Sequence, residues 1–124
     1  MSKPLASIII VARDEEKNLH RCLAGVRAQE MDFEYEVVVV DAGSLDRTAE
    51  VARSFGARVI GIRAEEFQHG RTRQMASEAV QGEYLVYLVA DAVPADRQWL
   101  QELIAAVAGD ERVAGAYSRP AWLL

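Results

Sequence analysis

One cysteine, three prolines and two lysines are all that this chain of 124 residues holds of those types. The lone Cys22 excludes a disulfide framework and a cysteine-built metal cluster. It falls at helical spacing among Leu19, Leu23 and Val26, which fits a buried structural thiol. No apolar stretch approaches the ~18 residues that a membrane span needs. Met1-Ser2-Lys3-Pro4 opens no signal peptide, because the apolar run after it is broken by Arg13-Asp14-Glu15-Glu16. The expected location is the cytoplasm, at furthest the inner face of a membrane. Basic residues number 14 against 19 acidic ones, a net charge of −5, and they are scattered. Nucleic acid and anionic lipid both need a basic face, and none is visible. The glycines form neither a GxGxxG pattern nor the P-loop spacing that ends in Gly-Lys, so both nucleotide fingerprints are missing.

What is present is an ordinary soluble mixture, 51% apolar and 27% charged. A chain of this length buries roughly 65% of its unfolded surface, enough for one core without disulfides or structural metal. No linker, repeat or low-complexity stretch interrupts residues 1–124, which read as a single domain.

Five short apolar runs punctuate it: 7–12, 37–40, 59–62, 84–89 and 113–117. Most are continuous and β-branched, the pattern of strands covered on both faces in a parallel sheet. Between them, Leu19, Cys22, Leu23 and Val26 form one helical stripe, and Leu100, Leu103, Ile104 and Val107 form another. Ala49, Ala52 and Phe55 mark a shorter helix; Thr72, Met75, Ala76 and Ala79 mark a fourth. Gly56 and Gly82 stand where left-handed helix caps are wanted, and Pro94 with Asp96 reads as a stop followed by an N-cap. The alternation predicts an α/β fold: a mostly parallel, Rossmann-like sheet with helices on both faces.

Ligands of such sheets bind beyond the carboxyl ends of the strands. Three of those ends carry acids: Asp14-Glu15-Glu16, Asp41 and Asp91. Asp41 follows four valines and precedes a Gly-Ser turn. Ser44 and Asp46 are expected to cap the next helix, which leaves the Asp41 carboxylate for a ribose or a base N–H. Asp91 stands without a second acid, a donor set suited to Mg²⁺ or Mn²⁺ shared with phosphate oxygens. In 67–74 a glycine opens a helix with Arg71 and Arg73 in its first turn, against the helix dipole. Two arginines so placed suggest a phosphate to meet; the competing expectation is pairing with Glu65, Glu66 or Glu78. His69 carries no assigned role, and Trp99 and Trp122 read as packing residues.

These segments resemble a known family. Ser7-Ile8-Ile9-Ile10 with Asp14-Glu15-Glu16, then Val37 to Val40 with Asp41-Ala42-Gly43-Ser44-Leu45-Asp46-Arg47-Thr48, resemble the opening of family 2 glycosyltransferases. Phe67 to Gln74 and Gly82 to Asp96 resemble the rhamnosyltransferase-like branch. The resemblance implies a GT-A fold, a nucleotide-diphospho-sugar donor and inverting transfer to a glycan or lipid-linked acceptor of the cell envelope. By position it implies that Asp41 contacts the nucleoside and that Asp14 and Glu15 stand at the pocket mouth. It implies further that Arg73 reaches nucleotide or diphosphate, and that Asp91 is the last acid of Asp-x-Asp, holding Mg²⁺ or Mn²⁺. The sequence departs from the family at Ala42, where many members have a second aspartate, and at Val89, where the first acid of Asp-x-Asp would stand. Nothing after Tyr117 reads as the general base of inverting transfer, so no catalytic residue is assigned and the fold reads as truncated. A missing C-terminal region or a homo-oligomer would complete the site. The alternative is a non-catalytic module for partner binding or assembly. A nucleotidyltransferase fits less well, because Arg13-Asp14-Glu15-Glu16 is not its glycine-rich basic loop.

Overall fold

The computed structural model describes residues 4–108. In chain order the elements are β1 (Ala6–Ala12), α1 (Glu16–Arg27), β2 (Tyr35–Ala42) and α2 (Thr48–Ser54). They continue with β3 (Arg58–Ile62), a 3₁₀ turn (Ala64–Glu66), α3 (His69–Glu78), β4 (Tyr84–Val89) and α4 (Trp99–Ala108). The expected strand at 113–117 and Trp122 lie outside the described residues.

Four strands form one sheet in the order β3-β2-β1-β4, every pair parallel. The first strand is therefore central, and the chain changes direction across the sheet between β3 and β4. A parallel sheet wants apolar side chains on both faces, and β1 and β2 supply them. Ile8, Ile10, Val37 and Val39 point to one face, where Leu19, Cys22, Leu23 and Val26 of α1 meet Leu100 and Ile104 of α4. Each fully buried Leu or Val on that stripe contributes about 1.5–3 kcal/mol of burial. Ile9 and Val40 point to the opposite face, against Ala76 and Met75 of α3. Helices thus cover both faces, but among the described residues only α3 covers the second.

That inequality changes the reading of the fourth apolar run. Tyr84–Val89 is continuous, yet Leu85, Tyr87 and Val89 remain 41%, 45% and 54% exposed. Among the described residues β4 pairs on one side only, and α3 packs its apolar side chains over β1 to β3, leaving Arg73 to reach the outer row at Tyr87.

Gly56 adopts the expected left-handed cap, with φ +78°. Gly82 does not; positive φ among the described glycines is confined to Gly43 and Gly56. Its reason is close approach: a Cβ there would stand 2.5 Å from the Ser7 backbone nitrogen. Gly82 N–H donates to Ser7 Oγ at 2.8 Å, and Ser7 Oγ donates to Glu36 Oε2 at 2.8 Å. Glu36 Oε2 also accepts the Gln81 N–H at 2.8 Å, which joins β1, β2 and the entry to β4 at one end of the sheet.

Candidate functional site at the carboxyl ends of the strands

The loop after β1 and the loop after β2 are tied together by side chains. Asp14 has φ +52°, the one left-handed non-glycine residue described. Aspartate tolerates that region better than most residues because its short side chain bonds nearby backbone. Here Asp14 Oδ1 accepts the Leu45 N–H at 2.7 Å, and the Asp14 N–H donates to Ser44 Oγ at 2.9 Å. The Glu15 N–H donates to Thr48 Oγ1 at 2.9 Å and the Glu16 N–H to Asp46 Oδ2 at 3.2 Å. The first N–H groups of α1, which no intrahelical acceptor can reach, are therefore satisfied from across the site. Asp46 also accepts from Thr48, through both its hydroxyl and its N–H. The Thr48 hydroxyl, then the Thr48 and Glu16 backbone N–H groups, hold the Asp46 carboxyl below its usual range.

Asp46 serves the first turn of α2 as expected, but Ser44 does not cap it. The Ser44 hydroxyl is spent on Asp14, and the Ser44 N–H donates to Asp41 Oδ1 at 3.1 Å. Asp41 is half-buried at the end of β2, with one oxygen pinned to the turn. Its other oxygen takes no hydrogen bond from the described residues. Gly43 makes the turn possible: its φ is +72°, and a Cβ would stand 2.8 Å from the Ala64 nitrogen. Leu45, on the same loop, is 95% exposed. Ala42 is buried and pairs with Ile62 of β3.

Asp91 lies two residues past β4, exposed, in a turn closed by Ala92 N–H to Val89 O at 3.0 Å. The described residues contain no group of three or more His, Cys, Asp or Glu side chains that could hold a metal. One exposed carboxylate fits a hard cation shared with diphosphate and water, and does not fit a cation held by protein alone. Below it, burial and then the Asp91 charge push the Cys22 thiol up to about 12.

α3 begins at His69, so Arg71 occupies its first turn and Arg73 its second. Arg71 is exposed, while Arg73 is half-buried. Two of the three expected carboxylate partners are taken elsewhere: Arg63 pairs with Glu65 at 3.8 Å and with Glu66 at 3.0 Å. Neither Arg71 nor Arg73 forms an ion pair among the described residues. The Arg73 guanidinium sits 5.9 Å from the Tyr87 ring centroid, a cation–π distance. With Ile9, Val11, Tyr87, Leu88 and Val89 it lines a small open pocket of about 60 Å³. The pocket spans β1 and β4, the topological switch point where ligands of open α/β sheets bind. His69 stacks edge-on against Phe67.

The structure thus brings Asp14, Glu15 and Asp41 into one bonded pair of loops and sets Arg73 in the neighbouring crevice. Asp91 stands beyond that crevice on β4's own turn. No hydrogen bond or ion pair joins Asp41, Arg73 and Asp91 among the described residues. Sequence reasoning missed Ser44 and Thr48 as ties between loops and Tyr87 as the arginine's platform. The exposed row of β4 was the only signal for Tyr87, and it requires knowing that β4 is outermost.

No helix among the described residues is long and apolar enough to cross a membrane. The architecture matches GT-A glycosyltransferase structures. The S. aureus protein TarS, residues 1–349, superposes with a TM-score of 0.76 at 22% identity, over 86% of this chain and 33% of that one. The mannosyltransferase PcManGT from Pyrobaculum calidifontis, solved with GDP-Man and Mn²⁺, gives 0.69 at 23% identity, over 84% and 32%. In sequence, the glycosyltransferase AglE of Haloferax volcanii is 35% identical over 111 residues, 86% of this chain and 36% of that protein. The O-antigen chain rhamnosyltransferase WbaN of Salmonella anatum is 29% identical over 85 residues, 68% of this chain and 27% of that protein. The chain spans about a third of the length of these relatives. Residues 7–121 match the family model described as Glycosyl transferase family 2, and the chain belongs to that family.

Proposed function

We propose that this chain binds the nucleoside diphosphate of a nucleotide-sugar across the carboxyl ends of β1, β2 and β4. The donor so held serves inverting transfer to a glycan or lipid-linked acceptor. The observation that carries the reading is Asp41, half-buried at a strand end with one oxygen pinned and the other unbonded. A carboxylate held in one orientation is a ready acceptor for ribose hydroxyls or a base N–H. Asp14 and Glu15 shape the mouth beside it. Arg73, without a carboxylate partner among the described residues, offers a charged fork to the diphosphate. Asp91 is the residue to hold Mg²⁺ or Mn²⁺, whose charge would offset that developing on the leaving diphosphate. TarS has been solved with UDP and with UDP-GlcNAc, which supports a donor of this class. The base that deprotonates the acceptor is assigned to no residue of this chain.

Calorimetric titration with UDP-, GDP- and dTDP-sugars, with and without Mn²⁺, tests the reading. Binding of at least one donor, weakened by Asp41→Ala, is the expected result. No binding at millimolar donor, or an Asp41→Ala variant that binds as well as wild type, sinks it.

The exposed row Leu85, Tyr87 and Val89 favours a second reading, a non-catalytic module that docks a partner. A monomer by light scattering that binds nucleotide speaks against it.

A further inference from the structure

Asp91 accepts no hydrogen bond among the described residues, so the backbone that carries it must set where its carboxylate stands. That backbone, residues 89–100, runs along α1 and the chain just past it, touching Cys22 and Gly25 of the helix and Gln29 two residues beyond its end. At one end the Cys22 thiol stands 3.9 Å from the Val89 carbonyl oxygen. In the middle, a Cβ on Gly25 would lie 2.7 Å from Pro94 Cδ and 3.5 Å from Val93 Cγ1. At the other end Gln29 Nε2 donates to the Asp96 carbonyl at 2.6 Å, and Gln29 Oε1 accepts the Leu100 N–H at 2.9 Å. The Glu30 N–H adds a backbone bond to the Arg97 carbonyl at 2.8 Å.

We infer that this face of α1, continued to Gln29 just past its end, is the positioning element of the Asp91 turn: Gly25 and Gln29 set the carboxylate's place and with it the cation-dependent part of donor binding. The inference rests on the donor-site reading. Gly25 is the sharpest part. α1 passes so close to Pro94 that any side chain at 25 must push the segment away, and a proline ring fixed to its own backbone cannot swing aside. Gln29 is the complementary part, because one amide satisfies a carbonyl and an N–H on either side of the start of α4. Neither residue lies in the loops that hold Asp41, and neither lines the Arg73 pocket. Their effect should therefore reach the cation term and leave the nucleoside term alone.

The test is calorimetry with UDP and GDP in Mn²⁺ and in EDTA, on wild type, Asp91→Asn, Gly25→Ala and Gln29→Ala. Wild type is expected to bind at least one of them more tightly in Mn²⁺, and Asp91→Asn to lose that increment. Gly25→Ala and Gln29→Ala are each expected to lose about tenfold of the Mn²⁺ increment, some 1.4 kcal/mol, while their EDTA affinities stay near wild type. Gln29→Ala keeps the proposal testable if Gly25→Ala fails to fold. Variants that retain the full increment overturn the inference. So do variants whose affinities fall equally in both media, since that is the mark of a general packing role. Wild type binding UDP or GDP with no gain from Mn²⁺ overturns the inference and the Asp91 assignment while leaving Asp41 standing. Failure to bind in either medium is the separate failure of the donor-site reading, and the inference falls with it.

Discussion

At Asp14 the backbone conformation, more than the charge, decides which residue the site accepts. The left-handed φ of +52° and the bond to the Leu45 N–H ask for a short side chain ending in an sp² oxygen. Asparagine meets both demands. Asp14→Asn should therefore change stability little, and Asp14→Ala should cost about 1–2 kcal/mol in urea unfolding, through the lost bond and the strained φ. Cys22 makes a prediction of opposite character. Its thiol ionises near 9.0 when unconstrained and near 12 in the fold, chiefly because it is buried. Between those values the native state keeps a proton that the unfolded chain has lost, so stability is whole below pH 9.0 and falls as pH rises toward 12. The slope is at most about 1.4 kcal/mol per pH unit. The urea midpoint of wild type should drop through this window, and that of Cys22→Ala should drop less. Asp41, Asp91 and Arg73 were all legible as candidates, since each stands at a strand end or helix start in a pattern that is local. Ser44 was misread as a helix cap because its real partner, Asp14, lies thirty positions away and only the tertiary fold brings it near.

Among the elements, continuous apolar runs identified four strands, and the 3.6-residue stripes identified the helices that cover them. Both are local signals with a fixed period. The two glycines before strands separate what is local from what is not. Gly56 is a cap and could be read from its place after a helix. Gly82 is required because another strand passes beneath it, and no spacing rule announces that. Its replacement is correspondingly harsher. Gly82→Ala drives a methyl against Ser7 backbone and threatens the bonds among Ser7, Glu36 and Gln81. A loss of about 1–3 kcal/mol is expected, seen as a lower thermal midpoint with unchanged helical circular dichroism at low temperature. Gly56→Ala, strained by its φ and by a 3.3 Å approach to the flexible end of Arg27, should lose less.

At the scale of the whole molecule, the outer row of β4 gathers three of the exposed large apolar side chains among the described residues, Leu85, Tyr87 and Val89. A strand unpaired on one edge among the described residues, with exposed apolar side chains, is a template for another chain. The 124-residue chain should therefore show a weight-average mass that rises with concentration in light scattering. Leu85→Lys should suppress that rise, because a lysine on an outer strand repels edge pairing. Leu85 lies outside the Arg73 pocket, so nucleotide affinity should survive the substitution. The sheet order carries one further consequence, which concerns time. β1 leaves the ribosome before the other described strands and ends between β2 and β4, and β2 and β3 can join one flank of it early. Its other flank waits for β4, from Ala6 to Tyr84 in the pairing. The crevice between β1 and β4 is thus the last part of the described sheet to come into being, and on the proposed reading a donor can be recognised only by a chain that has finished it.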